Sequence, residues 1–395
     1  MLSDWRFLCD WMVGKRPPVA PPPRQMELIF RHGVAGLAED RELADDSWER
    51  IRKQKNKQMM FSLQAQGVFH KIARRCAEED FRILPLKGIS LTKTIYAQDP
   101  SRRQLSDIDF LVQPENLLRL HRILEEIGYK TTNKNMLRPE YQQVKRKVEY
   151  LHPNPLFPGL DVHSAFVVKK FLSLHAGFEL DAVFDRAKEV ATDAGTCLVL
   201  DPVDEWLYLA YHYALHHQFS GLKWLMDIYY STWRLTAEDW GRLLQRSAAA
   251  GLDKIVLATL QALARTCPEL PEFCRQRPSC ALGGMTRTWL HVALDIKTLL
   301  YRELNHGRNR LQDKIGEYMW EFLFIDRPGH QLGAILRLLF PSHGLAMSIL
   351  GIRNRGLYLL IFPLFPLLGL LLLVLFGLLT ASKSLGSTSP RDEVC

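Results

Sequence analysis

Apolar residues recur at three- and four-residue steps through two long stretches of the chain, and at every second position through a shorter stretch between them. From about Gln25 to Asp80 the step is helical and no proline interrupts it. Phe81 to Leu86 reads as a strand ended by Lys87-Gly88, Ile89 to Tyr96 as a short helix, and the residues up to Leu105 as a polar loop. Ser106 to Gln113 (SDIDFLVQ) is the clearest strand, because Ile108, Phe110 and Val112 leave one face and Asp107 and Asp109 the other. Pro114 and Glu115 open a helix that runs through Ile127 and is closed by Gly128. Val144 to Leu151 and Leu160 to Phe166 (LDVHSAF) supply two further strands. From Pro202 to about Asn305 the helical step returns, and the tryptophans at 206, 224, 233, 240 and 289 read as core.

These patterns predict an α/β protein in which a small mixed sheet is flanked by N- and C-terminal helical regions. Residues 1–24 form a short helix and a proline-rich spacer (KRPPVAPPPR), and 25–80 the first helical region. Residues 81–200 form the core that carries the sheet, and 201–345 the second helical region. Gly356 to Leu379 has 24 residues without one charge, followed by a polar tail at 380–395. A hydrocarbon core of about 30 Å needs roughly 20 apolar residues as helix, so this run is expected to span a membrane. Pro363 and Pro366 make a re-entrant or surface-lying segment the alternative. Arg337, Arg353 and Arg355 before the run, against Lys383 and Arg391 after it, favour the preceding part as cytoplasmic.

Charge and cysteines add less. A net charge of +8 suits an anionic partner, yet no run of five like charges and no basic-aromatic stripe marks a nucleic-acid backbone site. Seven scattered cysteines lack paired zinc spacing and read as reduced thiols. The amino terminus lacks the continuous apolar core of a secretory signal, so a reducing, cytosol-facing compartment is expected.

The candidate chemistry lies on the middle strands. Asp107 and Asp109 share a face, and neighbouring carboxylates repel and desolvate badly unless they meet a cation such as Mg²⁺ or Mn²⁺. Alone, the pair reads more simply as two solvated acids at a strand edge. Three neighbours shift the balance. Lys87-Gly88, followed by Ser90, stands at a strand-to-helix junction, where a glycine lets phosphate oxygens approach the backbone. Arg103 lies four residues before Asp107, and Asp161 with His163 repeats the alternation on a second strand. Asp107, Asp109 and Asp161 would then hold two metal ions roughly 3.5–4 Å apart.

The segments LPLKGISLTKTIY, SRRQLSDIDFLV, LEEIGY and LDVH, with HGVAGLAED before them and LAYHYALHHQFSGLKWLMDIYY after, resemble a large, uncharacterised bacterial nucleotidyltransferase family of the DNA polymerase beta-like superfamily. The similarity extends from about residue 27 to LRLLFPSHG near 345. It implies metal-dependent transfer of a nucleoside monophosphate from a nucleoside triphosphate to an acceptor. In that scheme Asp107, Asp109 and Asp161 bind metal, and Lys87, Gly88, Ser90 and Arg103 hold phosphate. The wider superfamily places its serine directly after the glycine, whereas here Ile89 intervenes, so Ser90 is the weakest of the set. The acceptor implied by a membrane-held enzyme is an envelope glycan precursor, a lipid-linked intermediate or a membrane protein, at the bacterial inner membrane. A non-catalytic nucleotide-binding regulator using the same pocket is the alternative.

His212 and His216 share a helix face as a zinc pair would, but no H-E-x-x-H glutamate stands between them, so they and His217 read as structural or substrate-lining. His163, His216 and Asp227 are expected to orient the site or its acceptor. Lys223 and Asp227, four apart, fit either a surface ion pair or a place in the cleft.

Overall fold

The computed structural model describes residues 2–12, 21–38, 46–96, 99–132, 146–166, 179–192, 195–267, 269–295 and 320–343, with shorter pieces at 137–139, 142, 346, 352, 354–367, 370–371 and 374. The amino-terminal helix α1 (Leu2–Met12) is followed by α2 (Pro23–Arg31) and the long α3 (Asp46–Glu78). The expected single helical region over 25–80 is thus broken: His32 caps α2, Gly33 takes φ +67°, and a 3-10 turn covers Ala35–Leu37. Gly36 packs so closely on the loop before the acidic strand that a Cβ there would stand 2.3 Å from the Ser101 carbonyl oxygen. Of the proline-rich spacer KRPPVAPPPR, residues 15–20 lie outside the described residues, while Pro23 and Arg24 open α2.

Five strands form the sheet: β1 (Ile83–Leu86), β2 (Asp107–Val112), β3 (Lys130–Thr131), β4 (Lys147–Leu151) and β5 (Gly159–His163), in the order β1-β2-β5-β4-β3. The β2–β5 pairing is parallel and the others antiparallel, so the sheet is mixed as expected. Helices α4 (Gly88–Thr94) and α5 (Leu117–Glu126) follow β1 and β2. The alternation legible in SDIDFLV decides the layering. Ile108, Phe110 and Val112, joined by Val148 and Tyr150 of β4 and Leu160 and Val162 of β5, pack on one face against Phe69 and Ile72 of α3 and Leu120 and Leu124 of α5. The acids are left on the other face.

That second face looks toward the carboxy-terminal helices. Between them and the sheet stand α6 (Leu180–Arg186) and a hairpin of β6 (Lys188–Thr192) and β7 (Gly195–Val199), which the hydropathy pattern does not reveal. Helix α7 (Pro202–Tyr211) starts where the Asp201 carboxylate accepts from the Val203 amide and Pro202 needs no donor. It runs into a π-helical turn at His212–His216, seen in the His217 amide donating to the His212 carbonyl. Helix α8 (Leu222–Thr232) comes next. Helix α9 (Ala237–Ala250) begins in a Thr236–Asp239 capping box and ends at Gly251 in the left-handed region; α10 is Asp253–Thr266. Trp206 and Trp240 are fully buried, as expected of core, but Trp233 is 50% exposed and Trp224 borders the cleft described below. The six described cysteines are free thiols.

The span expected over 356–379 falls partly on residues outside the described ones. No helix of the described residues is long and apolar enough to cross a membrane. Helix at Arg355–Ile361 gives way to a 3-10 turn at Phe362–Leu364, where Pro363 removes an amide donor. Leu357, Leu359, Leu360 and Leu364 are exposed, while Tyr358 donates to the Pro341 carbonyl and folds this piece back. Residues 375–395 lie outside the described residues.

Candidate active site

Parallel pairing of β2 with β5 sets Asp109 directly beside Asp161, and Leu111 beside His163. Because side chains alternate, Asp107, Asp109, Asp161 and His163 emerge on one face. The potential ligand atoms of Asp109, Asp161 and His163 lie within 4.8 Å of one another. Asp107 lines the same cleft one pleat further out, with the Ser106 hydroxyl donating to its carboxylate at 2.9 Å. The structure therefore groups two acids and an imidazole, where the sequence suggested three acids.

Two lysines face these acids. Lys87 Nζ stands 2.7 Å from Asp109 Oδ1, and Lys147 Nζ 2.6 Å from Asp161 Oδ2 and 3.2 Å from Glu149. His163 Nε2 lies 3.1 Å from the same Asp109 oxygen. Burial alone would raise the Asp109 pKa, but Lys87 and His163 outweigh it and hold the carboxyl well below its usual range. Asp161 moves the other way: burial raises it, Lys147 opposes, and the neighbouring Asp109 adds to the rise. Burial would lower Lys147, yet Asp161 and Glu149 hold it above its ordinary value. Lys87 adopts φ 49° and ψ −127°, a conformation that costs a non-glycine residue about 1–3 kcal/mol. That turn directs its ammonium across the sheet face, and Gly88 lets the loop close over it. A Cβ on Gly88 would meet Leu105 Cδ2 at 2.5 Å.

The opposite wall comes from the helical half. Lys87 Nζ also donates to His212 Nε2 at 3.0 Å, which assigns the His212 proton to Nδ1. Burial, reinforced by the Lys87 charge, holds His212 far below its usual pKa and therefore neutral. His212 stacks on Tyr208 on one side and on His216 on the other, at 5.0 Å and 16° for the second pair. His217 stacks on Trp224 at 3.4 Å, and Lys223 Nζ lies 4.6 Å from that indole ring. Gly221, at φ +85°, is required here, since a Cβ would stand 2.1 Å from the Trp224 ring. The cleft between the two walls has a volume of about 330 Å³.

Three residues assigned from sequence are placed differently. Ser90 is fully buried beneath the cleft, where its hydroxyl donates to Glu205 at 2.9 Å. The same carboxylate receives Thr94 and Arg234. Ser90 therefore ties α4 to α7. Arg103 borders the cleft, but its Nε and Nη2 are taken up by both oxygens of Asp227 at 2.8–3.0 Å, and Tyr96 donates to Asp227 at 2.7 Å. Asp227 thus clamps the loop of Arg103 to α8 from behind the cleft. Lys147, like Gln104 and Ser106, lines the cleft without having been singled out from sequence. A lysine on an edge-proximal strand carries no local signal, and only its register opposite His163 brings it to the site.

The donor set fits a divalent cation. Two carboxylates abreast supply oxygen ligands, and the His163 imidazole, with Nδ1 buried and without a hydrogen-bond partner, adds a nitrogen that Mn²⁺ accepts more readily than Mg²⁺. Residues 24–268, more than half of the chain, match the uncharacterised nucleotidyltransferase family, and the chain belongs to that family. Among curated proteins no match to the chain is found.

Proposed function

We propose that the protein transfers a nucleoside monophosphate from a nucleoside triphosphate to an acceptor, in the manner of the polymerase beta-like superfamily. The observation that carries this reading is the Asp109–Asp161–His163 cluster within 4.8 Å, enclosed by Lys87, Lys147 and Lys223 in one cleft. Asp109, Asp161 and His163 would hold Mg²⁺ or Mn²⁺, with Asp107 as a further carboxylate at the mouth. When bound, the cation supplies charge neutralisation for the attacking and leaving oxygens. The acceptor oxygen forms a bond to the α-phosphorus, the bond from that phosphorus to the bridging oxygen breaks, and pyrophosphate departs. The acceptor proton passes to Asp161 as the acceptor oxygen attacks. Lys87 turns from Asp109 to the departing phosphates, and Lys223 neutralises charge at the mouth.

The exposed leucines of 357–364 support association of this end with a lipid surface, with the cleft on the cytoplasmic side and an envelope glycan precursor, a lipid-linked intermediate or a membrane protein as acceptor. The test is incubation of the full chain in membranes with each α-³²P nucleoside triphosphate and Mg²⁺ or Mn²⁺, beside an Asp107→Ala/Asp109→Ala variant. Labelled product that disappears in the variant supports transfer. Equal labelling in both, or tight nucleotide binding without turnover for any donor, overturns it.

A further inference from the structure

We propose that Lys147 is a positioning residue that shifts from Asp161 to Glu149 and thereby admits the divalent cation to the cleft. The proposal rests on the cation-dependent reading of the site given above. Asp109, Asp161 and Glu149 stand abreast on three neighbouring strands. Asp109 is paired with Asp161 across β2–β5, and Glu149 with Asp161 across β4–β5. Strand alternation sends Lys147 out on the same face as Glu149, one pleat away and opposite His163. Its ammonium reaches back to lie 2.6 Å from Asp161 Oδ2 and 3.2 Å from Glu149 Oε1. One lysine head thus joins a carboxylate of the cation site to a carboxylate beside it.

The surroundings let the head move while the strand stays. The Arg146 carbonyl accepts from the Ser164 amide at 2.9 Å, and Val148 and Tyr150 are buried in the core on the far face. Only the flexible four-carbon stem has to swing. The side chain of Asp161 is 18% exposed and that of Glu149 46%, so the shift carries the ammonium from the cleft toward solvent. A divalent cation and an ammonium on one carboxylate repel each other, and Glu149 receives the displaced charge without stranding it. Lys87 is placed differently. Its second contact is the His212 ring nitrogen at 3.0 Å, so phosphate is what draws it off Asp109.

The test is calorimetric titration of Mn²⁺ into the full chain without nucleotide. An ammonium that rests on Asp161 about nine times in ten lowers the apparent affinity for the cation roughly tenfold. Lys147→Met should therefore bind Mn²⁺ roughly tenfold more tightly than wild type. Glu149→Gln should bind it more weakly, because the lysine is then left with Asp161 alone. Bare Coulomb attraction gives the same two signs, and the double variant Lys147→Met/Glu149→Gln decides between them. A gate predicts the affinity of Lys147→Met, since Glu149 acts only through the lysine, whereas independent charges predict the sum of the two effects. Additive effects, or a Lys147→Met variant no tighter than wild type, overturn the gate. Asp161→Ala separates the two levels of the argument. Mn²⁺ binding lost in that variant, with additive effects in the others, overturns the gate alone; Mn²⁺ binding unchanged in it overturns the cation site on which the gate rests.

Discussion

Replacement of Asp227 by asparagine isolates the energetic role of the clamp between the two halves of the cleft. The Asp227 side chain is fully buried and Arg103 is only 7% exposed, so the substitution leaves a guanidinium in a water-excluded site facing a neutral amide. Both Arg103 nitrogens that now meet a carboxylate, at 2.8–3.0 Å, and the Tyr96 hydroxyl at 2.7 Å lose a charged acceptor. Removing one partner of a buried pair of this kind costs about 3–5 kcal/mol, chiefly because the other charge is stranded. For a chain of this size that corresponds to a fall in Tm of roughly 4–6 °C. Circular dichroism melting and urea titration read the loss directly, and the double variant Arg103→Met/Asp227→Leu should recover part of it by removing the stranded charge. A single Asp227→Asn variant within about 1 kcal/mol of wild type would refute the account. Arg103→Lys separates this role from direct phosphate binding: a clamp predicts lost stability, whereas a phosphate ligand predicts lost nucleotide affinity at unchanged Tm.

Other variants probe the cleft itself. Asp109→Ala should abolish transfer while the circular dichroism spectrum stays native, since that side chain sits on the sheet face away from Phe110 and its partners. Gly221→Ala, at φ +85° against the Trp224 ring, should cost about 1–3 kcal/mol and shift tryptophan emission as the stack on His217 opens. Lys223 is pushed down to about 8, first by burial and then by the Arg103 charge. Its folded pKa is below its unfolded one, so between about pH 8 and its ordinary value of 10.5 the unfolded chain binds more protons and stability rises with pH. Lys223→Met should flatten that rise in a urea titration repeated across the window; an unchanged slope would show the lysine to be solvated.

Much of the sheet was legible because its residues obey a local rule. The alternation in SDIDFLV places three apolar side chains against α3 and α5, and the observed strand Asp107–Val112 differs from the expected one by a residue at each end. Lysine-glycine after Leu86 and glycine at 128 mark turns that the backbone indeed needs, at φ 49° and 97°. What stayed hidden depends on distance along the chain. Arg103 and Asp227 are 124 residues apart, and Ser90 and Glu205 are 115 apart, so neither pairing leaves a trace in spacing. Both arginine and serine look like phosphate ligands from sequence because a polar residue near a glycine turn has the same composition whether it faces a ligand or a buried carboxylate. In the apolar run at 356–379, the described part breaks from α-helix into a 3-10 turn at Phe362–Leu364, where Pro363 lacks an amide donor.

The turn at His212–His216 closes its hydrogen bond over five residues, where an α-helix uses four. One surplus residue at this point therefore sets the angle at which the imidazoles are presented. Removing Ala214 would leave every side chain of the cleft chemically intact and still rotate His216 and His217 by about a quarter-turn relative to the sheet. How the two imidazoles are presented at this rim thus depends on the number of residues in the turn as well as on their identity.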